Sequence, residues 1–244
     1  MTDKNNARAV LAERIKAYWN ERSTSFAALR ARELSGPNAA AWKKYFAAKL
    51  PQLNRPLKIL DVGTGTGFFA ILLTEMGHTV TAIDLSEEML AQASFLSEER
   101  GLKIDYRQSC AGNLSFADGS FDVVVSRNLT WTLPDLPHAY AEWYRVLTEK
   151  GVLLNFDCDY GHWQFVNGTG HAVHADVPQA LTDECSRIKD GLAVSRESRP
   201  DYDIALLRRT GFSVVCYTDI RRHVHLDPEI QYDDLPFFAL KGMK

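Results

Sequence analysis

Residues 61–69 read Asp61-Val62-Gly63-Thr64-Gly65-Thr66-Gly67-Phe68-Phe69, three glycines at alternate positions directly after the largely apolar run 57–62. A strand that feeds a glycine loop and then a helix presents backbone N–H groups and the positive end of a helix dipole to a ligand. Glycine lets that backbone come close, because no Cβ stands in the way. The spacing departs from G-x-G-x-x-G, whose third glycine would fall at 68, where this chain has Phe68. Phe68 would crowd the helix packing which that glycine permits. Asp61, at the mouth of the loop, would repel a pyrophosphate and welcome an ammonium. The loop therefore predicts a zwitterionic ligand, and it argues against a nicotinamide oxidoreductase.

Outward from the loop the periods alternate. Helix 67–76 precedes strand 79–83, and helix 86–100 precedes strand 103–107. Strand 121–126 is followed by helix 137–147 and then by strand 151–157. Short apolar strands interleaved with helices predict a parallel sheet buried on both faces. Ser86 ahead of Glu87 and Glu88 is a helix start, and Gly101 is a stop. Upstream, Val10, Leu11, Ile15, Tyr18 and Trp19 recur at helical spacing and predict a helix over 7–19. Gly36-Pro37-Asn38 opens a second helix, over 38–50, which Pro51 ends. After Asp157 the rhythm fails. Residues 158–200 are irregular and rich in Gly, His and Asp, and they predict an insertion or lid. Helix 201–210, strand 212–220 and a strand near 237–241 close the chain. The expected fold is α/β: a Rossmann-like, doubly wound sheet, mostly parallel with an antiparallel last strand and helices on both faces. One domain is expected over 1–244, comprising an N-terminal helical cap (1–55), a ligand-binding core (56–157), the insertion (158–200) and a C-terminal helix and strands (201–244).

Composition bounds the function classes. Hydrophobic residues make up 45% and charged residues 24%, values ordinary for a globular chain; 28 basic against 31 acidic residues give a net charge of −3. No overall field recruits a polyanion, and the pairs Arg208-Arg209 and Arg221-Arg222 read as solvated faces. Neither a nucleic-acid partner nor a membrane is expected. Cys110, Cys158, Cys185 and Cys216 form no C-x-x-C pair, which fits reduced thiols in a cytoplasm. The polar start, Met1 to Asn5, leads into no apolar signal region, and no stretch is long and apolar enough to span a bilayer. The expected location is cytoplasmic, and the sequence leaves the oligomeric state open.

Asp84 ends the second strand about twenty residues beyond the glycines, where an acidic side chain takes both ribose hydroxyls. Ammonium, carboxylate and ribose in one ligand describe S-adenosylmethionine. The segments "ILDVGTGTG", "VTAIDLSEEML", "FADGSFDVVVSRNLTWTLPD" and "EWYRVLTEKGVLL" follow in order, with weaker echoes in "YWNERSTSF" and "FFALKG". In this the chain resembles the class I S-adenosylmethionine-dependent methyltransferases, and among them the small-molecule enzymes grouped around ubiquinone and menaquinone biosynthesis. The resemblance implies that Gly63, Thr64, Gly65 and Gly67 line the methionine end of the cofactor, with Asp61 steering its amino group. It implies that Asp84 binds the ribose and that Leu85 and Met89 pack on the adenine. Where the family carries Asp-Ala to read the adenine, this chain has Cys110-Ala111, which replaces a carboxylate acceptor by a weak thiol one. Ser126, Arg127 and Asn128 would border the transferable methyl.

The acceptor is less legible. "SRNLTWTL" stands where base and glutamine methyltransferases carry Asn/Asp-Pro-Pro-Tyr, so a small molecule with an N, O, S or C nucleophile is expected. The alternatives are a catalytically silent nucleoside-binding module, or an RNA or protein methyltransferase. Tyr18, Trp19, Trp131 and Trp163 would wall the acceptor pocket, with Phe165 beside them. Asn128, Asp157 and His162 are the catalytic candidates, the latter two as a base or its orienting group. His171 and His174 are three apart, but Gly168 and Gly170 argue against a helix there, and no metal is expected. His223 and His225 read as edge residues of a strand after Ile220.

Overall fold

In the computed structural model, which describes residues 2–165 and 177–244, the glycine loop sits at the centre of a seven-stranded sheet. Two helices come first, α1 (Thr2–Ser35) and α2 (Pro37–Lys49). The wound core follows: β1 (Lys58–Val62), α3 (Phe68–Glu75), β2 (Thr79–Asp84), α4 (Glu87–Glu98), β3 (Asp105–Gln108), β4 (Phe121–Arg127), α5 (Leu136–Val146) and β5 (Leu147–Cys158). The chain ends with α6 (Gln179–Gly191), α7 (Asp201–Thr210), β6 (Ser213–Tyr217), the single turn α8 (Arg221–Val224) and β7 (Phe237–Met243). The strand order is β3-β2-β1-β4-β5-β7-β6, and only β7 runs antiparallel to its neighbours. The order reverses between β1 and β4. That switch point, at the carboxyl ends of the strands, is where open α/β sheets bind ligands.

Burial explains the strands. Ile59, Leu60 and Val62 of β1 and Val123, Val124 and Val125 of β4 are fully buried, covered by helices on both faces. On one face Trp42 of α2 meets Phe69 of α3 (ring centroids 4.6 Å apart) and Phe156 of β5 (4.9 Å), both edge-to-face. Each such ring contributes about 1.5–3 kcal/mol by leaving water. Ser86 caps α4 by accepting from the Met89 N–H at 3.0 Å, and Asp135 caps α5.

Three expectations differ in outcome. The first helix runs 34 residues rather than thirteen, because its second half hides from a hydrophobic period: Arg22, Arg30 and Glu33 lie on its buried face. Within the insertion, residues 179–191 form α6, with Leu181, Cys185 and Ile188 turned inward at helical spacing. Val177 is buried as well. The strand expected over 212–220 stops at Tyr217, and His223 belongs to α8, with His225 just beyond it. Gly168, Gly170, His171 and His174 lie outside the described residues.

Candidate active site

A cavity of about 570 Å³ opens at the switch point, floored by the carboxyl ends of β1, β2, β4 and β5 and the start of β7. Helix α1 roofs it. Asn20 accepts a hydrogen bond from Ser86 Oγ at 2.6 Å, and Arg14 pairs with Glu184 of α6 at 2.8 Å, so the roof is pinned to both sides. Gly63 (φ +67°) and Gly65 (φ +55°) take left-handed backbone that only glycine adopts without strain. A Cβ on Gly63 would strike Leu129 at 2.7 Å, whereas one on Gly65 would point into open space, with Phe26 3.7 Å away. The N–H groups of Gly63 and Thr64 both donate to the Ile83 carbonyl at 2.9 Å, and that of Gly65 donates to Asp84 Oδ2 at 2.8 Å. The loop therefore offers close approach rather than a ring of donors, a shape that suits a nucleoside better than a phosphate.

Two carboxylates face this loop. Asp84 accepts from Gly65 and, through Oδ1, from the Ser86 N–H at 2.9 Å; burial raises its pKa against those bonds. Asp61 is buried and accepts from Thr64 Oγ1 at 2.7 Å, and burial pushes its pKa up to about 7. Behind the cavity wall, Glu33 of α1 accepts from Arg127 Nη2 at 2.9 Å, from the Tyr232 hydroxyl at 2.7 Å and from Arg30. Burial alone would raise the Glu33 carboxyl, but the two guanidinium groups overcome it and hold it at about 2. Two cations thus share one anion, leaving one positive charge over. Arg127 lies against the faces of Phe68 and Phe69, and Arg30 over Phe26, which keeps both cations in place.

Asn128 follows Arg127 with φ +52°, uncommon for a residue with a side chain. Its N–H donates to the Phe156 carbonyl at 2.8 Å and its carbonyl accepts from Trp131 Nε1 at 3.0 Å. Its Oδ1 is buried with no hydrogen-bond partner among the described residues. A strained residue on the cavity wall with an orphaned acceptor marks a place for a ligand's donor.

Residues 60–155 match the family described as a methyltransferase domain. Residues 60–155 thus form a methyltransferase domain of that family. The Bacillus subtilis protein YqeM, named as a methyltransferase, is 40% identical over 119 residues, 46% of either chain. A demethylmenaquinone methyltransferase of Thermus thermophilus is 36% identical over 115 residues, 46% of this chain and 52% of that one. The chain thus matches about half the length of these curated relatives. Among solved structures, Haemonchus contortus phosphoethanolamine N-methyltransferase 2 in complex with S-adenosyl-L-methionine superposes with a TM-score of 0.61 at 17% identity. That match covers 91% of this chain and 58% of the other, and it shows the shared fold.

Within the methyltransferase domain the structure brings Asp61, Gly63, Thr64, Gly65, Asp84, Leu85, Met89, Cys110, Ala111, Arg127 and Asn128 to one cavity wall. Tyr18, Trp19 and Trp131 line the same space. Gly67 does not. At φ +85° it caps α3, and a Cβ there would meet Tyr106 at 2.8 Å and Ala93 of α4 at 3.1 Å. Gly67 thus permits the close helix packing that Phe68 was expected to obstruct, and Phe68 lies on the cavity wall instead.

Asp157 is corrected as well. It is fully buried off the cavity lining, accepting from the Trp131 N–H (3.0 Å), the Cys158 N–H (2.9 Å), Thr130 Oγ1 and Arg199. These four donors hold the carboxylate in a structural role away from the cavity. His162 is exposed and Trp163 half-buried, and neither lines the cavity, because the turn at 160–163 carries them outward. In their place Tyr160 and Phe165 stack on each other and pack tilted against Trp131. Two residues read as surface, Arg221 and His225, reach the cavity instead. With Arg30, Glu33 and Tyr232 they are the site residues that sequence reasoning missed. Their only signal was charge on a helix face and one histidine 97 residues from Asn128.

Proposed function

We propose that the protein transfers a methyl group from S-adenosylmethionine to a nitrogen, oxygen, sulfur or carbon nucleophile of a small molecule. The observation that carries this is the single cavity joining the loop at Gly65 and Asp84 to the orphaned Asn128 Oδ1 across the switch point. The residues present fit the cofactor. Asp61 takes the ammonium, and the excess positive charge of Arg30 and Arg127 faces the carboxylate. Asp84 takes the ribose, while Leu85, Met89, Cys110 and Ala111 border the adenine. Bound there, the cofactor would supply an electrophilic methyl on a sulfonium, to be taken by the acceptor's nucleophilic electron pair with the carbon–sulfur bonding electrons left on sulfur. The chain's part is to hold the reacting atoms in line and keep water out, using α1 above and Tyr18, Trp19 and Trp131 at the side. A small acceptor is supported by the roofed cavity, whose volume is in the range of small-molecule sites, and by a relative named for a small molecule, demethylmenaquinone.

The test is calorimetry with S-adenosylhomocysteine on the natural protein and on Gly65→Val. The natural protein should bind, and the variant should keep its fold yet lose binding, because a branched Cβ at φ +55° enters the cavity. Absence of binding by the natural protein would refute the reading.

A further inference from the structure

Beyond the cofactor's expected contacts, the cavity wall beside β7 carries an imidazole that finds no hydrogen-bond partner among the described residues. His225 lies on the cavity wall with both Nδ1 and Nε2 buried and no hydrogen-bond partner for either among the described residues. Its ring is fixed in place, stacked on Tyr232 (centroids 3.7 Å apart, planes 9° apart) and next to Phe237 (5.1 Å, 22°). The Tyr232 hydroxyl is spent on Glu33 and accepts from Asn38 Nδ2 at 2.9 Å, so it does not turn to the imidazole. A rigid ring on the cavity wall whose two buried nitrogens have no partner among the described residues is arranged for a ligand that supplies one.

The charges around it decide what that ligand is. Arg127 from β4, Arg30 and Glu33 from α1, and Arg221 from α8 act on the imidazole; burial first, then Arg127, press its pKa down to about 3. The ring is neutral throughout the working range, one nitrogen donating and the other accepting. Arg221 is paired with Asp219 at 2.9 Å and Asp234 at 2.8 Å. The one positive charge left over by Arg30, Arg127 and Glu33 is matched by the cofactor's carboxylate under the proposed function, on which this argument rests. Arg22 and Asp233 also line the cavity and carry one charge of each sign, so this end of the wall holds no net charge for an acceptor to neutralise.

We propose that His225 is the specificity-determining residue for the methyl acceptor, bonding through its neutral imidazole to a hydroxyl or amine of an uncharged, largely apolar molecule. The flat body of that molecule lies against the cluster of Trp131, Tyr160 and Phe165, whose rings stand 4.9–5.6 Å apart.

The experiment uses the full chain saturated with S-adenosylhomocysteine and three probes of one shape: 1-naphthol, naphthalene and 1-naphthoate. Calorimetry should show 1-naphthol binding at least tenfold tighter than the other two, and nitrogen-edited NMR should show the His225 ring resonances moving with 1-naphthol. In His225→Phe the preference over naphthalene should vanish while S-adenosylhomocysteine affinity stays unchanged, and His225→Gln should restore part of the preference. Tighter binding of 1-naphthoate, an undiminished preference in His225→Phe, or no 1-naphthol binding by the saturated protein would each overturn the inference. Failure to bind S-adenosylhomocysteine would instead overturn the methyltransferase reading beneath it.

Discussion

Replacing Asp61 by asparagine should move stability and cofactor binding in opposite directions. Burial raises the Asp61 carboxyl from 3.8 to about 7, against the bonds it accepts from Thr64 and the Ala70 amide. At 1.36 kcal/mol per unit, holding this carboxylate ionised in the folded protein costs about 4 kcal/mol. Because the folded value lies above the unfolded one, the folded protein keeps a proton that the unfolded chain releases between about pH 4 and 7. The ligand-free protein therefore loses stability as pH rises through that window. Asp61→Asn removes the charge and weakens the two hydrogen bonds, which offsets roughly 1–2 kcal/mol. The variant should gain about 2–3 kcal/mol at pH 8, a midpoint about 4–10 °C higher, and little at pH 5, where the natural carboxyl is already protonated. Binding runs the other way. The cofactor's ammonium needs the ionised form, so the natural protein should bind S-adenosylhomocysteine about tenfold more weakly at pH 6 than at pH 8. Asp61→Asn should bind weakly at both, with no such slope. Thermal melts and calorimetry at the stated pH values read both effects. A variant that melts lower than the natural protein at pH 8, or a natural affinity flat from pH 6 to 8, would refute the reasoning.

Asp84→Ala should weaken S-adenosylhomocysteine binding by about 1.5–3 kcal/mol, the range for hydrogen bonds to a charged group, measured by calorimetry on a variant whose circular dichroism is unchanged. Cys110→Asp should tighten that binding, because a carboxylate at this exposed cavity position accepts from the adenine amino group better than a thiol does; weaker binding would mean an adenine pocket shaped around the small side chain. Asp157→Ala should lower stability by about 3–5 kcal/mol in a denaturant titration, since it deprives buried Arg199 of one partner. A stable variant with normal melting and lost turnover would return Asp157 to the catalytic set.

What the sequence determined by itself is local and periodic. The alternation from 57 to 157 specifies parallel strands wrapped by helices, because a strand buried on both faces is apolar over most of its length. The glycines at 63 and 65 and the acidic residue closing β2 mark the nucleoside end of the cavity, because left-handed backbone and strand termini leave signatures in residue type. What only the tertiary structure decided concerns residues whose meaning depends on a distant partner. Arg30 and Glu33 look like a solvated helix face until Arg127, 94 residues from Glu33, is brought beside them. Asp157 looks like a base until Arg199 is seen across from it. His225 looks like an edge residue until β7, inserted antiparallel beside β5, draws its segment under the cavity. In each case the chain alone states the charge of a side chain. Its environment, and hence its protonation and its role, is fixed by what the fold packs against it.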